Sequence, residues 1–282
     1  MKRLLAFFII ISTSLISSAQ TASSLFRRSD SLQVAEIVSE VGNQYNKVGH
    51  HGPAVENSHM ALRIYFNDSG AVDLYSKSGR GMELEEYLWY PDTTQVAAGA
   101  GYDEYIVGKT VGFGGIALWD GENEVKLVAT KGRTARVGKT KKGSFAGMIA
   151  YGVEYMGSYV DISMRIDVSD KDRSATMTAE ELSGKDVMFL TGVNYHEGQK
   201  VSYGDGYISV WGRHPVKNID TPAAIGAGIL FSDKVFPAVE KTDNIVRVIS
   251  KPVSKVKTTL LGASSKEAEL NSAKRFESYI IK

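Results

Sequence analysis

The sequence predicts a mainly β protein, a large antiparallel two-sheet sandwich with short N- and C-terminal helices. Apolar and polar residues alternate with a period of two through several separated stretches, and sequences rich in Gly, Asn and Asp divide those stretches. Helical spacing of apolar residues is confined to the two ends. Many alternating strands must bury one face each, and a second sheet is the economical cover.

Taken in order, residues 1–19 read as a secretory signal. Lys2 and Arg3 form the charged start, residues 4–11 the apolar stretch, and Ser17, Ser18 and Ala19 a small-residue cleavage site before Gln20. Export to the periplasm or the extracellular space is expected, with residues 20–282 forming a single β-sandwich catalytic domain. The leading apolar stretch is too short for a retained span, and no later segment approaches the roughly 20 apolar residues a bilayer needs, so no membrane insertion is expected.

Residues 21–46 carry a helical pattern, with Leu32, Ala35, Val38 and Val41 following Asp30 as a cap. The period then changes to two. Leu62, Ile64 and Phe66 share one face and Arg63 and Tyr65 the other; after the turn at residues 67–70, Val72 and Leu74 oppose Asp73, Tyr75 and Lys77, which completes a hairpin. Alternation returns in residues 159–168, 176–182, 207–213 and 244–249. Asp120-Gly121 and Gly204-Asp205-Gly206 mark tight turns, and 28 glycines suit a chain of many turns and bulges. Near the end, Ser264 with Glu267 reads as a capping box, followed by Leu270, Ala273, Phe276 and Ile280 at helical spacing.

The chain has no cysteine, which excludes disulfides, thiolate metal sites and a cysteine nucleophile. A formal net charge of +1, with basic residues scattered, leaves no electrostatic footprint for nucleic acid. Arg133, Arg136, Lys139, Lys141 and Lys142 read as a solvated loop. Gly112-Phe113-Gly114-Gly115 does not complete a dinucleotide fingerprint, and neither a phosphate loop nor a Gly-x-Ser-x-Gly elbow occurs.

Three groups of residues carry candidate chemistry. The first is His50-His51-Gly52-Pro53-Ala54-Val55-Glu56-Asn57, which holds two of the five histidines beside a rigid turn at the mouth of a strand. Adjacent histidines on an extended chain point apart, so no metal is assigned to them with Glu56. The second is the aromatic and acidic stretch of residues 83–103, with Trp89, Tyr90, Tyr102 and Asp103, a mixture suited to stacking on and hydrogen-bonding to sugars. The third joins Asn194-Tyr195-His196-Glu197 to residues 207–214, where Tyr207, Ser209, Trp211 and Arg213 share a face that reads as a cleft lining, with His214 following.

Together these residues resemble a secreted bacterial family carried as a domain of unknown function and found among polysaccharide-degradation proteins. The resemblance runs from His50 to Phe236, through residues 51–57, 61–65, 98–103, 107–108, 112–115 and 224–229, and is greatest to the oligosaccharide dehydratases of ulvan-degrading marine bacteria. It implies removal of water from the uronic acid at the non-reducing end of an oligosaccharide, leaving a 4,5-unsaturated sugar. Such a step needs a cationic or hydrogen-bonding clamp on the uronate carboxylate, a base for the C5 proton, and an acid for the departing hydroxyl. His51 and His196 are the expected acid and base, with Tyr102 or His214 as substitutes. Arg213 and Arg63, assisted by Asn57, are the expected clamp, and Trp89, Asp103 and Trp211 complete substrate binding. The expected partner is a uronate-containing oligosaccharide, with no cofactor assigned and the oligomeric state open. Competing readings are a polysaccharide lyase using the same elimination, a hydrolase pairing Glu56 with Glu86 or Asp103, and a non-catalytic sugar-binding module.

Overall fold

A computed structural model describes residues 21–79, 81–84, 86–88, 91–169, 171–217 and 219–282. The signal expected at residues 1–19, and Trp89 with Tyr90, lie outside the described residues. In chain order the elements are β1 (Thr21–Ser24), β2 (Glu36–Ser39), β3 (Ala54–Asn57), β4 (Ala61–Ile64), β5 (Val72–Leu74), α1 (Thr93–Ala97), β6 (Ala117–Trp119) and β7 (Glu124–Val125). The long strands follow: β8 (Arg133–Lys139), β9 (Gly143–Tyr155), β10 (Ser158–Ser169), β11 (Ala175–Glu181), β12 (Phe189–Asn194) and β13 (Lys200–Gly204). The chain closes with β14 (Tyr207–Arg213), β15 (Ala224–Leu230), β16 (Val239–Lys241), β17 (Ile245–Ile249), β18 (Lys255–Ser264) and α2 (Ala273–Ile280).

These strands form three antiparallel sheets in a sandwich-like arrangement. A nine-stranded sheet, ordered β13-β14-β15-β18-β11-β10-β9-β8-β2, makes one layer. The other layer is divided between a four-stranded sheet, β1-β3-β4-β5, lying over β9 and β10, and a five-stranded sheet, β16-β17-β12-β6-β7, lying over β14 and β15. Bridges from Gly112 to Val72 and from Phe113 to Val193 join the two smaller sheets. One continuous core fills the space between layers, with Leu62, Val72, Phe113, Ile166, Met177 and Phe189 among its buried members.

The predicted hairpins form. Leu62 opposes Leu74 and Ile64 opposes Val72; Trp119 opposes Glu124 across the turn at Asp120-Gly121; Gly204 opposes Tyr207 across Asp205-Gly206. The N-terminal helix does not form. Residues 21–46 instead supply β1 and the edge strand β2, and the would-be helical stripe is left outside, with Leu32, Val38 and Val41 exposed by 67%, 61% and 60%. Ile37 alone of β2 turns into the core, paired beside Ala135 of β8. A stripe with nothing to cover does not stabilise a helix, and β-branched Ile37 and Val38 suit a strand better.

The C-terminal helix forms, but later than its predicted cap. Glu267 does reach the Ser264 backbone N–H, at 3.3 Å, yet this pair closes a turn at the end of β18, and the helix starts after Ser272. Phe276 and Ile280 are its buried residues. They rest on β15, where a Cβ on Gly228 would come within 2.3 Å of Ile280, so only glycine leaves room for the helix. Trp211 packs into this same contact, its ring 5.7 Å from that of Phe276. The face of β14 read from sequence as a cleft lining is therefore covered by α2.

Candidate active site

The four-stranded sheet has two unlike faces. Val55, Leu62, Ile64, Val72 and Leu74 point into the shared core. The opposite face carries Glu56, Arg63, Asp73 and Lys77, and these too are buried, at 0%, 0%, 0% and 3% exposure. A polar face on a half-buried strand normally meets water; here the irregular segment that follows β5 covers it. Glu56 holds that cover down, accepting from the backbone N–H groups of Glu83 (2.8 Å) and Leu84 (3.0 Å) and from the Lys77 ammonium. Glu104 does the same further along, accepting from Ser76, Lys266 and the Ala223 N–H.

At the centre of this face Arg63 and Asp73 sit directly opposite across the β4–β5 register. The Arg63 guanidinium grips Asp73 through both Nε and Nη2, and Nη2 also meets Asp103 at 2.9 Å. Asp73 accepts in addition from the Tyr65 hydroxyl at 2.6 Å. Burial lifts the Asp73 carboxyl above its ordinary range while Arg63 opposes the lift, and Arg63 itself is held firmly protonated by the two carboxylates. Burial, aided by Asp73, also pushes the Tyr65 and Tyr45 hydroxyls upward, so both stay protonated at neutral pH.

His51 stands at the edge of this cluster. The turn that carries it is stitched to the end of β4 by Phe66 N–H donating to His51 C=O (2.8 Å) and Ile64 N–H to Pro53 C=O (3.0 Å). Gly52 is required for that approach, since a Cβ there would lie 1.9 Å from the Ile64 oxygen. His50 and His51 both adopt left-handed backbone, with φ of 53° and 61°, at a cost of about 1–2 kcal/mol each. Strain of this kind collects where geometry serves a site. The His51 ring stacks on Tyr45 (centroids 4.0 Å apart, 8° between planes) and stands edge-on to Tyr65. Its Nδ1 lies 2.9 Å from the Tyr45 carbonyl oxygen. A carbonyl only accepts, so Nδ1 carries the proton and Nε2 keeps its lone pair. Burial holds this imidazole below its usual value, the charges of Arg63 and exposed Arg28 lower it further, and Asp103 opposes them.

A second pair of imidazoles lies at the other end of residues 103–106. His196 and His214 meet edge to face at 4.9 Å, and the Tyr105 ring lies 4.2 Å from that of His214. Ile106 holds both: its N–H donates to His214 Nδ1 (3.1 Å), and its C=O accepts from His196 Nε2 (3.0 Å) and from Asn194 Nδ2 (2.8 Å).

The structure thus brings His51, Arg63 and Asp103 together, and His196 with His214 apart from them. Arg63 is corrected from a carboxylate clamp to the buried floor of the cluster, its guanidinium already engaged. Asn57 is also corrected: its amide donates to the Asp172 carbonyl and accepts from the His59 and Met60 N–H groups, a clamp on two turns. Arg213 is exposed and donates to the Pro222 carbonyl, and Trp211 lies under α2. Tyr102 is half-buried, its carbonyl accepting from Ser76 N–H at 3.0 Å. Trp89 is outside the described residues. Glu56, engaged and fully buried, is unsuited to the hydrolase pair considered for it. Tyr45 and Arg28 were missed because both fall in residues 21–46, the segment read as helix; Asp73 and Tyr65 were signalled by the alternation that places them on the Arg63 face.

His50 differs from its neighbour. It is 1% exposed, packs edge-on against Phe26, and among the described residues neither ring nitrogen has a hydrogen-bond partner. Burial pushes it down to about 3, as it does His214. Between about 3 and the unfolded value of 6.5 the unfolded chain binds a proton at His50 that the folded chain does not, so folding stability falls as pH drops through this window. The expected slope is about 1.4 kcal/mol per pH unit for each such histidine. Urea unfolding at several pH values should show His50→Leu less acid-sensitive than the parent by that single-histidine slope; identical slopes would contradict the assignment.

A family model described as a domain of unknown function (DUF4861) matches residues 14–282 of this chain. A comparison with curated proteins gives no match. Among solved structures, the crystal structure of 4-alpha-glucanotransferase from Thermococcus litoralis is similar at a TM-score of 0.34 and 10% sequence identity, over 83% of this chain and 42% of that one. This chain therefore spans less than half the length of that enzyme.

Proposed function

The chain belongs to the DUF4861 family, and from the site on its four-stranded sheet we propose that it is a carbohydrate-active carbon–oxygen lyase. In this reading it is an oligosaccharide dehydratase that eliminates water from a non-reducing-end uronate of the ulvan type and gives a 4,5-unsaturated uronyl product. The observation that carries the reading is His51: a neutral imidazole with its tautomer fixed by the Tyr45 carbonyl, an unoccupied lone pair on Nε2, and a phenol stacked against it.

The C5 proton of a uronate becomes removable only when the adjacent carboxylate's charge is countered. We assign the clamp on that carboxylate to exposed Arg28, whose charge acts on the His51 ring and which also donates to the Asn46 carbonyl. His51 Nε2 takes the C5 proton, electrons shift toward the carboxylate, and the C5–C4 double bond forms as the C4 oxygen leaves. Tyr45, held protonated by burial, gives its proton to the departing hydroxyl, which leaves as water. Its phenolate is then reprotonated from solvent, and His51 returns its proton there. Arg63, Asp73 and Tyr65 are positioning residues that fix the depth and angle of this pair. His196, expected from sequence as His51's partner, is held with His214 and Ile106 instead, and this reading gives its role to Tyr45.

Incubating the protein with a panel of uronate-ended oligosaccharides while following ultraviolet absorbance and mass tests the reading. A gain of conjugated absorbance with loss of one water and no shortening supports it. Unsaturation with chain shortening makes the protein a polysaccharide lyase by the same elimination; shortening without unsaturation makes it a hydrolase; unchanged mass leaves a binding module. Tyr45→Phe should lower turnover about 10²–10⁴-fold, the usual yield of a general acid, while its melting temperature stays near that of the parent.

A further inference from the structure

The His196–His214 pair takes no part in the elimination just described, and its hydrogen bonds define what it can bind. Because the Ile106 carbonyl accepts from His196 Nε2, that ring keeps its lone pair on Nδ1; because the Ile106 N–H donates to His214 Nδ1, that ring carries its proton on Nε2. The two rings therefore offer one acceptor and one donor, side by side at 4.9 Å. Among the described residues neither of these two atoms has a hydrogen-bond partner; His196 is half-buried, and His214 beside it is 2% exposed. Asn194, 1% exposed, adds a buried carbonyl oxygen with no partner. A metal does not suit the pair, since the free nitrogen of His214 is an N–H and not a lone pair. Anions do not suit it either: carboxylate and sulfate oxygens only accept, and would face the lone pairs of His196 and Asn194 with no cation to offset them. A hydroxyl group suits it, donating to His196 Nδ1 while accepting from His214 Nε2.

We infer that His196, His214 and Asn194 form a second subsite, which binds a free hydroxyl of an uncharged sugar residue adjoining the uronate, with the buried Tyr105 ring backing His214. The inference rests on the carbohydrate reading above. Residues 103–106 tie the subsite to the His51 cluster, Asp103 belonging to one and Ile106 to the other, a separation of at most about 11 Å along the chain. An oligosaccharide bound along this segment presents its uronate to His51 and its next residue to the histidine pair.

Imidazole ¹⁵N spectra of the whole protein provide the test, with three probes added separately: a uronate-ended disaccharide, the neutral disaccharide cellobiose, and inorganic sulfate. The expected result is that both disaccharides shift the His196 and His214 ring nitrogens, that the uronate-ended one also shifts His51, and that sulfate shifts neither member of the pair. Shifts at His51 alone, or at the pair with sulfate, overturn the inference. No shift with either sugar overturns it together with the carbohydrate reading, whereas shifts at the pair without any loss of water keep the subsite and remove the elimination. In the kinetic arm, His196→Phe should raise KM about tenfold for the disaccharide, the loss of one hydrogen bond, and leave KM for a methyl uronide within a factor of about 2. Equal rises for both substrates would overturn the assignment.

Discussion

Replacing His51 with Gln should lower turnover of a uronate-ended oligosaccharide by about 10²–10⁴-fold, the range set by loss of a positioned general base, with little change in stability. Gln retains an amide that can donate to the Tyr45 carbonyl, the bond that orients the imidazole in the parent, but it has no nitrogen lone pair to take a proton. The ring sits at the rim of the cluster and is only half-buried, so its loss opens no large cavity. Turnover and thermal melting measured on the same preparation separate the two effects. Full activity in a folded His51→Gln protein would remove His51 from the chemistry and the proposed mechanism with it.

Arg63→Met should give the largest loss of stability in the molecule, about 3–5 kcal/mol, the penalty for leaving a buried charge without its partner. Met has a similar reach and suits an apolar environment, so the loss comes from charge and not from volume. Without the guanidinium, Asp73 and Asp103 face each other with no cation between them, and Asp73 is fully buried. Asp73 must then bind a proton to stay inside. The sign of the pH effect follows: a carboxyl whose folded pKa is raised favours the folded state as pH falls. The deficit of Arg63→Met relative to the parent should therefore shrink as pH is lowered below neutrality. Pairing it with Asp73→Asn should recover part of the lost stability, because one of the two stranded charges is gone. Urea denaturation of the parent and both variants decides this; a loss below about 1 kcal/mol, the scale of an exposed ion pair, would mean that the cluster is not the buried floor described here.

Much of this was legible in the residues, for physical reasons that also explain what was not. The period of two in residues 62–66 and 72–77 fixes both the hairpin and the grouping of Arg63, Tyr65, Asp73 and Lys77 on one face, because side chains on a strand alternate whatever lies above them. Alternation does not reveal whether the polar side meets water. That depended on a non-local fact, the covering segment that Glu56 and Glu104 draw down. Similarly, Trp211 and Tyr207 were placed correctly on one face of β14 while the docking of α2 over that face was not foreseen. The error at residues 21–46 was one of period: Leu32, Ala35, Val38 and Val41 recur at helical spacing, but all four are exposed and have nothing to pack on. That error hid Arg28 and Tyr45. His51 stood out by scarcity and by its Gly-Pro turn, whereas the pairing of His196 with His214 depends on Ile106, a backbone contact no side-chain pattern encodes.

The central claim is that His51 takes a proton from the carbon beside a bound carboxylate. An oligosaccharide carrying deuterium at C5 of its terminal uronate measures this directly. The account predicts an unsaturated product that has lost water and retains no deuterium at C5. Turnover to a product with the deuterium still in place would contradict it.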